Sequence, residues 1–217
     1  MAKKRESPYI WATWLTRLLV GEHCCEWGVW FKTHHITSSY EKVPDTFDLA
    51  AWQVVHTNRS REIRARLEAE GKAVLIESQN SFVLRGTSAA LGGKPDIIAT
   101  HGGCGTIIDI KTGKSSPAHT AQVMLYMYAV PKVLLQYKGM KLDGKVIYND
   151  REVDIPAAAV NEVFVKNVAD LIKRLASDEE PAKIANRIEC GFCDITATDC
   201  RDRAPDAEPP EAVTGDF

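Results

Sequence analysis

The chain has 217 residues, 45% of them hydrophobic and 26% charged. That suits one moderately large domain with appendages and an ordinary soluble composition. No run approaches the ~18 apolar residues of a membrane span. The formal charge is −2, but residues 204–217 hold four acids and no base, so removing them leaves the rest at +2. Such a balance permits nucleic-acid contact without arguing for it.

The chain starts basic, yet its first apolar stretch is broken by Thr13, Thr16 and Arg17. Trp11, Trp14, Leu15 and Leu18 share one helical face, so residues 8–20 read as an amphipathic helix and not a signal peptide. A cytoplasmic protein is expected. A longer helix is expected over 46–70, ending at Gly71. The stretches 72–78 (KAVLIES) and 81–86 (SFVLRG) read as a hairpin turning at SQN. PDIIAT and GTIIDIK read as a second hairpin, reversed at HGGCG where glycines allow positive φ. After Lys111, the helical spacing of Val123, Met124, Tyr126 and Met127 predicts a helix closed by Pro131. KVLLQYKG and GKVIYNDREVDIP read as two more strands, and 156–176 as an amphipathic helix with Pro156 near its start. This order predicts an α/β fold, a mixed sheet covered by helices. The expected organisation is a helical part over 1–71, a core over 72–177, a cysteine segment over 178–203 and a disordered acidic tail over 204–217.

In a strand alternate side chains share a face, so Asp109 and Lys111 point one way while Ile108 and Ile110 point into the core. An antiparallel neighbour would bring Asp96 alongside Asp109. Two converging carboxylates repel unless a cation lies between them, and Mg²⁺ suits such oxygen ligands and phosphate. A lysine there would orient or help deprotonate an attacking water, or neutralise charge on the reacting phosphate. The competing reading is a surface Asp–Lys pair on a hairpin.

GKPD, then IDIK thirteen residues after Asp96, then Gln122 and Tyr126 in QVMLY resemble the PD-(D/E)XK nuclease superfamily, in particular its RecB-like branch. Gln122 and Tyr126 are four apart and share a helical face. The resemblance implies a restriction-endonuclease-like fold and metal-dependent hydrolysis of DNA, single-stranded by preference and from an end. It implies Mg²⁺ or Mn²⁺ on His56, Asp96, Asp109 and the Ile110 carbonyl, with Lys111, Gln122 and Tyr126 completing the catalytic set. Glu77 is a weaker candidate near the metals. Asp109 stands where many relatives carry Glu, and both ligate these ions.

Cys190, Cys193 and Cys200 form C-x2-C-x6-C. In a reducing compartment such clusters point to a metal and not to disulfides. A fourth thiolate is needed, from Cys24 or Cys25; Cys104 is a bystander in its turn. On spacing alone a structural Zn²⁺ fits equally well. One upstream and three downstream cysteines around a nuclease core resemble the iron–sulfur nucleases, among them AddB-type subunits and the CRISPR-associated spacer-acquisition exonucleases. That resemblance implies a [4Fe–4S] cluster on Cys25, Cys190, Cys193 and Cys200, and protein partners in CRISPR adaptation, DNA repair or a phage or mobile-element role. The alternative function is a zinc- or cluster-stabilised DNA-binding or assembly module.

Trp11, Trp14, Trp27, Trp30 and Trp52 are expected mainly to pack the N-terminal helices. Beside Arg17, Lys32 and His34, some of them would stack unpaired bases. Arg59, Arg61, Arg64 and Arg66 read as a solvated helix face or a phosphate-holding run, and Lys114 as a single phosphate contact.

Overall fold

The computed structural model describes residues 2–44 and 47–205; the expected disordered tail lies almost wholly outside them. The described chain is a mixed α/β fold of two sheets flanked by helices. In order it runs β1 (Tyr9–Trp11), α1 (Ala12–Leu19), α2 (Glu26–His34), α3 (Leu49–Ala69), β2 (Ala73–Ile76), β3 (Phe82–Arg85) and β4 (Ala90–Gly93). There follow β5 (Ile97–His101), β6 (Cys104–Ile110), α4 (Pro117–Val133), β7 (Lys141–Ile147), β8 (Glu152–Ile155), α5 (Glu162–Ala176) and α6 (Arg187–Gly191).

The larger sheet has the order β2-β5-β6-β7-β8, and the smaller one β1-β4-β3. β5 and β6 pair antiparallel with His101 opposite Cys104, reversing through Gly102 and Gly103 at φ 58° and 81°. This is the hairpin expected at HGGCG. β6 and β7 pair in parallel, which requires a crossover, and α4 supplies it. Both faces of the sheet are covered. Ile97, Ala99, Ile108 and Ile110 pack with Ile63 and Leu67 of α3. Ile98, Ile107 and Val146 pack on the other side with Val123, Met127 and Val130 of α4.

Five local expectations are corrected. Residues 9–11 are a strand before α1, because tertiary pairing with β4 captures them and Gly92 leaves room for the Tyr9 phenol. The segments around SQN do not form a hairpin: β2 pairs with β5 and β3 with β4, in different sheets. A 3₁₀ turn over Glu77–Asn80 redirects the chain between them, starting at Glu77 with φ 35°. Helix α2 escaped notice because Trp27, Gly28, Val29, Trp30, Phe31 and Thr33 are all buried, which erases an amphipathic period. Pro131 lies inside α4, and KVLLQYKG holds a 3₁₀ turn pinned by buried Tyr137; both strands fall within 141–155. Lastly, Pro156 precedes a 3₁₀ turn, and α5 starts at an Asn161 cap that accepts from Phe164 N at 2.9 Å.

The two ends of the described chain meet at Glu189 of α6. Its carboxylate accepts from Cys24 N and Cys25 N at 3.0 Å and stands 2.9 Å from His23 Nε2. Glu189→Ala leaves these part-buried donors and buried His23 without their acceptor, so it is expected to lower unfolding stability by about 1–2 kcal/mol, read from urea melts. Among the described residues no helix is long and apolar enough to cross a membrane.

Candidate active site

The β5–β6 register pairs Ile97 with Ile108, and one step further sets Asp96 opposite Asp109. Asp109 is 1% exposed, so this is no surface hairpin pair. Its environment is built from the strand and from α4 above it. Gln122 Nε2 donates to Asp109 Oδ1 at 2.9 Å and to Tyr126 Oη at 3.0 Å. Gln122 Oε1 accepts from Lys111 Nζ at 3.1 Å. The amide orientation follows from its partners, since only its oxygen can take an ammonium proton. Tyr126 is fixed in turn by Phe82, ring edge to ring face at 5.9 Å.

Asp96 is held from two sides. Its Oδ2 accepts from Ile110 N at 2.8 Å and lies 3.3 Å from His56 Nε2 on α3. The Trp52 ring tilts over His56 at 4.8 Å. Glu77 adjoins the site through its amide, which donates to Asp96 O at 2.9 Å, while its carboxylate stands 3.5 Å from Lys94 Nζ. The structure thus brings His56, Asp96, Asp109, Ile110, Lys111, Gln122 and Tyr126 into one locality.

Electrostatics set the protonation states. Burial pushes the Asp109 carboxyl up to about 6, against the pull of Lys111 and with the repulsion of Asp96. Burial opposes the charge on Lys111, but Asp109 and Asp96 outweigh it and hold the ammonium above its ordinary value. The hydrogen bond to Asp96 raises His56 despite its burial. Burial, reinforced by Asp109, keeps the Tyr126 phenol neutral.

Two residues of this locality were not anticipated. His119 lies one turn before Gln122 on α4, and its Nδ1 is 3.0 Å from Tyr148 Oη. Tyr148 follows Ile147, whose carbonyl accepts from Lys111 N at 2.9 Å. Burial first, then Lys111 and Arg17, push the His119 imidazole down to about 4, so it is neutral near pH 7. The i, i+3 spacing of His119 and Gln122 was the available signal.

Gly93 of the GKPD segment has a packing reason to be glycine. A Cβ there would stand 2.6 Å from the Phe82 ring and 2.8 Å from the Tyr126 ring. Gly93→Ala is therefore expected to cost about 1–3 kcal/mol of stability through overpacking and to displace Tyr126. Denaturant unfolding checks the first effect and a crystal structure of the variant the second.

The arginines of α3 are a solvated face. Arg59 pairs with Glu62, Arg64 with Glu68 and Arg66 with Glu152. Trp27 and Trp30 are core residues, whereas Trp11, Trp14 and Trp52 are half-buried. Lys114 is exposed.

Cys190 and Cys200 are buried, Cys25 and Cys193 half-buried, and Cys24 and Cys104 exposed. Cys25 Sγ accepts from Ile184 N and Cys190 Sγ from Ala204 N, each at 3.5 Å. A Cβ on Gly28 of α2 would lie 3.2 Å from Cys193 Sγ. Among the described residues no group of three or more His, Cys, Asp or Glu side chains is gathered tightly enough to hold a metal ion. In the carboxylate site the reason is visible: His56 and Lys111 occupy the acids. The donor set still fits a hard divalent cation, because buried Asp109 Oδ2 receives no aligned hydrogen bond although Lys111 Nζ is 2.9 Å away.

The family model of the PD-(D/E)XK nuclease superfamily matches residues 27–202. No curated protein matches the chain. Among solved structures it is similar to the one described as "Crystal structure of SSO0001", at 18% sequence identity over 87% of this chain and 84% of that chain. The TM-score is 0.44, and that likeness carries no part of the assignment.

Proposed function

The chain belongs to the PD-(D/E)XK nuclease superfamily, and from that premise we propose that it hydrolyses phosphodiester bonds of DNA with Mg²⁺ or Mn²⁺. His56, Asp96, Asp109 and the Ile110 carbonyl would hold the cation. The observation that carries the reading is the buried network in which Gln122 joins Lys111, Asp109 and Tyr126 directly beside Asp96. When bound, the cation supplies a Lewis acid that polarises the phosphodiester and favours ionisation of the attacking water. The protein groups do the rest. Lys111, held as an ammonium by two acids, donates hydrogen bonds to water and phosphate and offsets developing negative charge. Gln122 fixes the position of that ammonium, and Tyr126 fixes Gln122.

Cys25, Cys190, Cys193 and Cys200 would hold a [4Fe–4S] cluster, which would tie the segment after α5 to the start of α2. Its support is the Glu189 bridge from α6 to the Cys24 and Cys25 amides, and the main-chain N–H groups aimed at the sulfurs of Cys25 and Cys190. Such donors would hydrogen-bond the ligating sulfurs of a bound cluster. Cys25 is preferred to exposed Cys24. Together with Gln122 and Tyr126, the cysteines support the RecB-like iron–sulfur branch and an exonuclease that prefers single strands. Its biological setting would be CRISPR adaptation, DNA repair or a mobile element.

Because Asp109 is raised from 3.8 to about 6, the folded metal-free protein binds this proton more tightly than the unfolded chain. The associated stability is present at low pH and is lost as pH rises through about 6. His56, also raised, loses its contribution on rising above its ordinary value of 6.5. A cation replaces those protons. The increase in melting temperature on adding Mn²⁺ is therefore expected to be larger at pH 8 than at pH 5.

The function itself is tested with end-labelled single- and double-stranded DNA incubated with Mn²⁺, Mg²⁺ or EDTA. Metal-dependent loss of label from single strands as mononucleotides is expected. Internal cuts throughout a duplex would reject the exonuclease reading, and no cutting under any metal would reject the nuclease.

A further inference from the structure

Between α1, α2 and the segment after α6 lies a cleft of about 160 Å³ lined by Trp14, Arg17, His23, Lys32, Phe192 and Cys193. It differs from the apolar grooves elsewhere on the molecule in pairing cations with aromatic faces. The Arg17 guanidinium lies 4.4 Å from the centre of the Phe192 ring, and Lys32 Nζ lies 5.9 Å from that of Trp14. Lys32 is neutralised by Asp194 at 2.6 Å. Arg17, in contrast, is half-buried with no carboxylate partner among the described residues. A half-buried cation without a counter-ion attracts an anion. Phe192, covered in part by Arg17, keeps 40% of its surface exposed. A cleft of this volume is on the scale of a single base.

Its position joins it to the site already described. Helix α1, which carries Trp14 and Arg17, packs on α4. The loop after α1 is tied to the α4 N-cap by Ser116 Oγ donating to Glu22 Oε1 at 2.7 Å. His119, on the α4 face that carries Gln122, feels the charges of both Lys111 and Arg17.

We propose that this cleft binds one nucleotide of an unpaired DNA strand adjoining the cleaved phosphodiester, with its base against Phe192 and Trp14 and its phosphate on Arg17. The proposal rests on the nuclease reading and gives it a reason to prefer single strands: a base must leave its stack to enter.

The test is the anisotropy of a fluorescent oligodeoxythymidylate titrated with anaerobically purified protein in EDTA, so that nothing is cleaved. Arg17→Ala is expected to weaken binding about tenfold and to flatten the dependence of log K on log salt by about 0.7. Phe192→Leu is expected to weaken it about tenfold through lost stacking, and Phe192→Trp to retain it. Lys138→Ala, on an exposed turn, is the control and leaves affinity unchanged. Thermal melts confirm that each variant is folded. Equal affinities for wild type, Arg17→Ala and Phe192→Leu would overturn the proposal, as would failure of Phe192→Trp to bind. If this pattern holds but the wild type never cuts DNA with Mn²⁺, the nuclease reading fails and the subsite stands. If the wild type cuts and the variants bind alike, the subsite alone fails.

Discussion

Lys111→Ala is expected to slow DNA cleavage by about 10²–10³-fold, the usual loss when one preorganised donor is removed from a developing negative charge. The ammonium is 2.9 Å from Asp109 Oδ2 and 3.1 Å from Gln122 Oε1, and its side chain is only 15% exposed. It therefore has one place to be, without a conformational search. The same substitution leaves Asp109 buried and without its cation, which costs about 3–5 kcal/mol in comparable buried pairs. The two effects separate by experiment. In EDTA the variant should melt well below wild type. In Mn²⁺ much of that difference should vanish, because a divalent charge takes over against Asp109, while cleavage stays slow. Lys111→Arg is not a rescue, since a planar guanidinium cannot occupy the space of a compact ammonium beside Gln122. A variant that regains both stability and rate in Mn²⁺ would show Lys111 to be only a counter-ion.

Cys190→Ser is expected to abolish the visible absorbance of anaerobically purified protein and to lower its melting temperature more than any exposed substitution. Cys190 is 7% exposed, its sulfur accepts a main-chain N–H, and Glu189, the residue before it, holds the Cys24 and Cys25 amides. A serine hydroxyl is a poor replacement for thiolate at a soft metal. Loss of the proposed cluster would therefore loosen α6 from α2 and expose Trp27 and Trp30, a change readable in tryptophan fluorescence. Cys104→Ser, in the exposed HGGCG turn, should keep colour and stability. A colourless wild type that carries one zinc atom would replace iron by Zn²⁺ without changing the architectural role. A Cys190→Ser protein of full colour and stability would remove Cys190 from the ligand set.

What the sequence made legible was local. The β5–β6 hairpin followed from two apolar runs and a glycine reversal, and an antiparallel neighbour was expected to bring Asp96 alongside Asp109; the register sets the two opposite each other. Gln122 and Tyr126 were legible through the resemblance to the nuclease superfamily's Q-x-x-x-Y pattern, and helical spacing added that they share one face. The failures share a different cause. β2 and β3 are neighbours in sequence yet join separate sheets, and the left-handed Glu77 that parts them has no signature in side-chain polarity. Tyr148 reaches the site only through the parallel β6–β7 pairing, which is set by the α4 crossover and not by anything near residue 148. Helix α2 is buried nearly all round, so periodicity cannot reveal it. Its burial also explains the tryptophans: Trp27 and Trp30 pack the core, while Trp14, one turn from the charged Arg17, is left at the cleft.

The most direct test of the account is single-turnover cleavage of an end-labelled single-stranded oligonucleotide by anaerobically purified wild type and Asp109→Ala, each with Mn²⁺ and with EDTA. The account predicts cutting by the wild type in Mn²⁺ alone and none detectable from folded Asp109→Ala. Cutting by Asp109→Ala at the wild-type rate, or no cutting by folded wild type with its metal present, would contradict it.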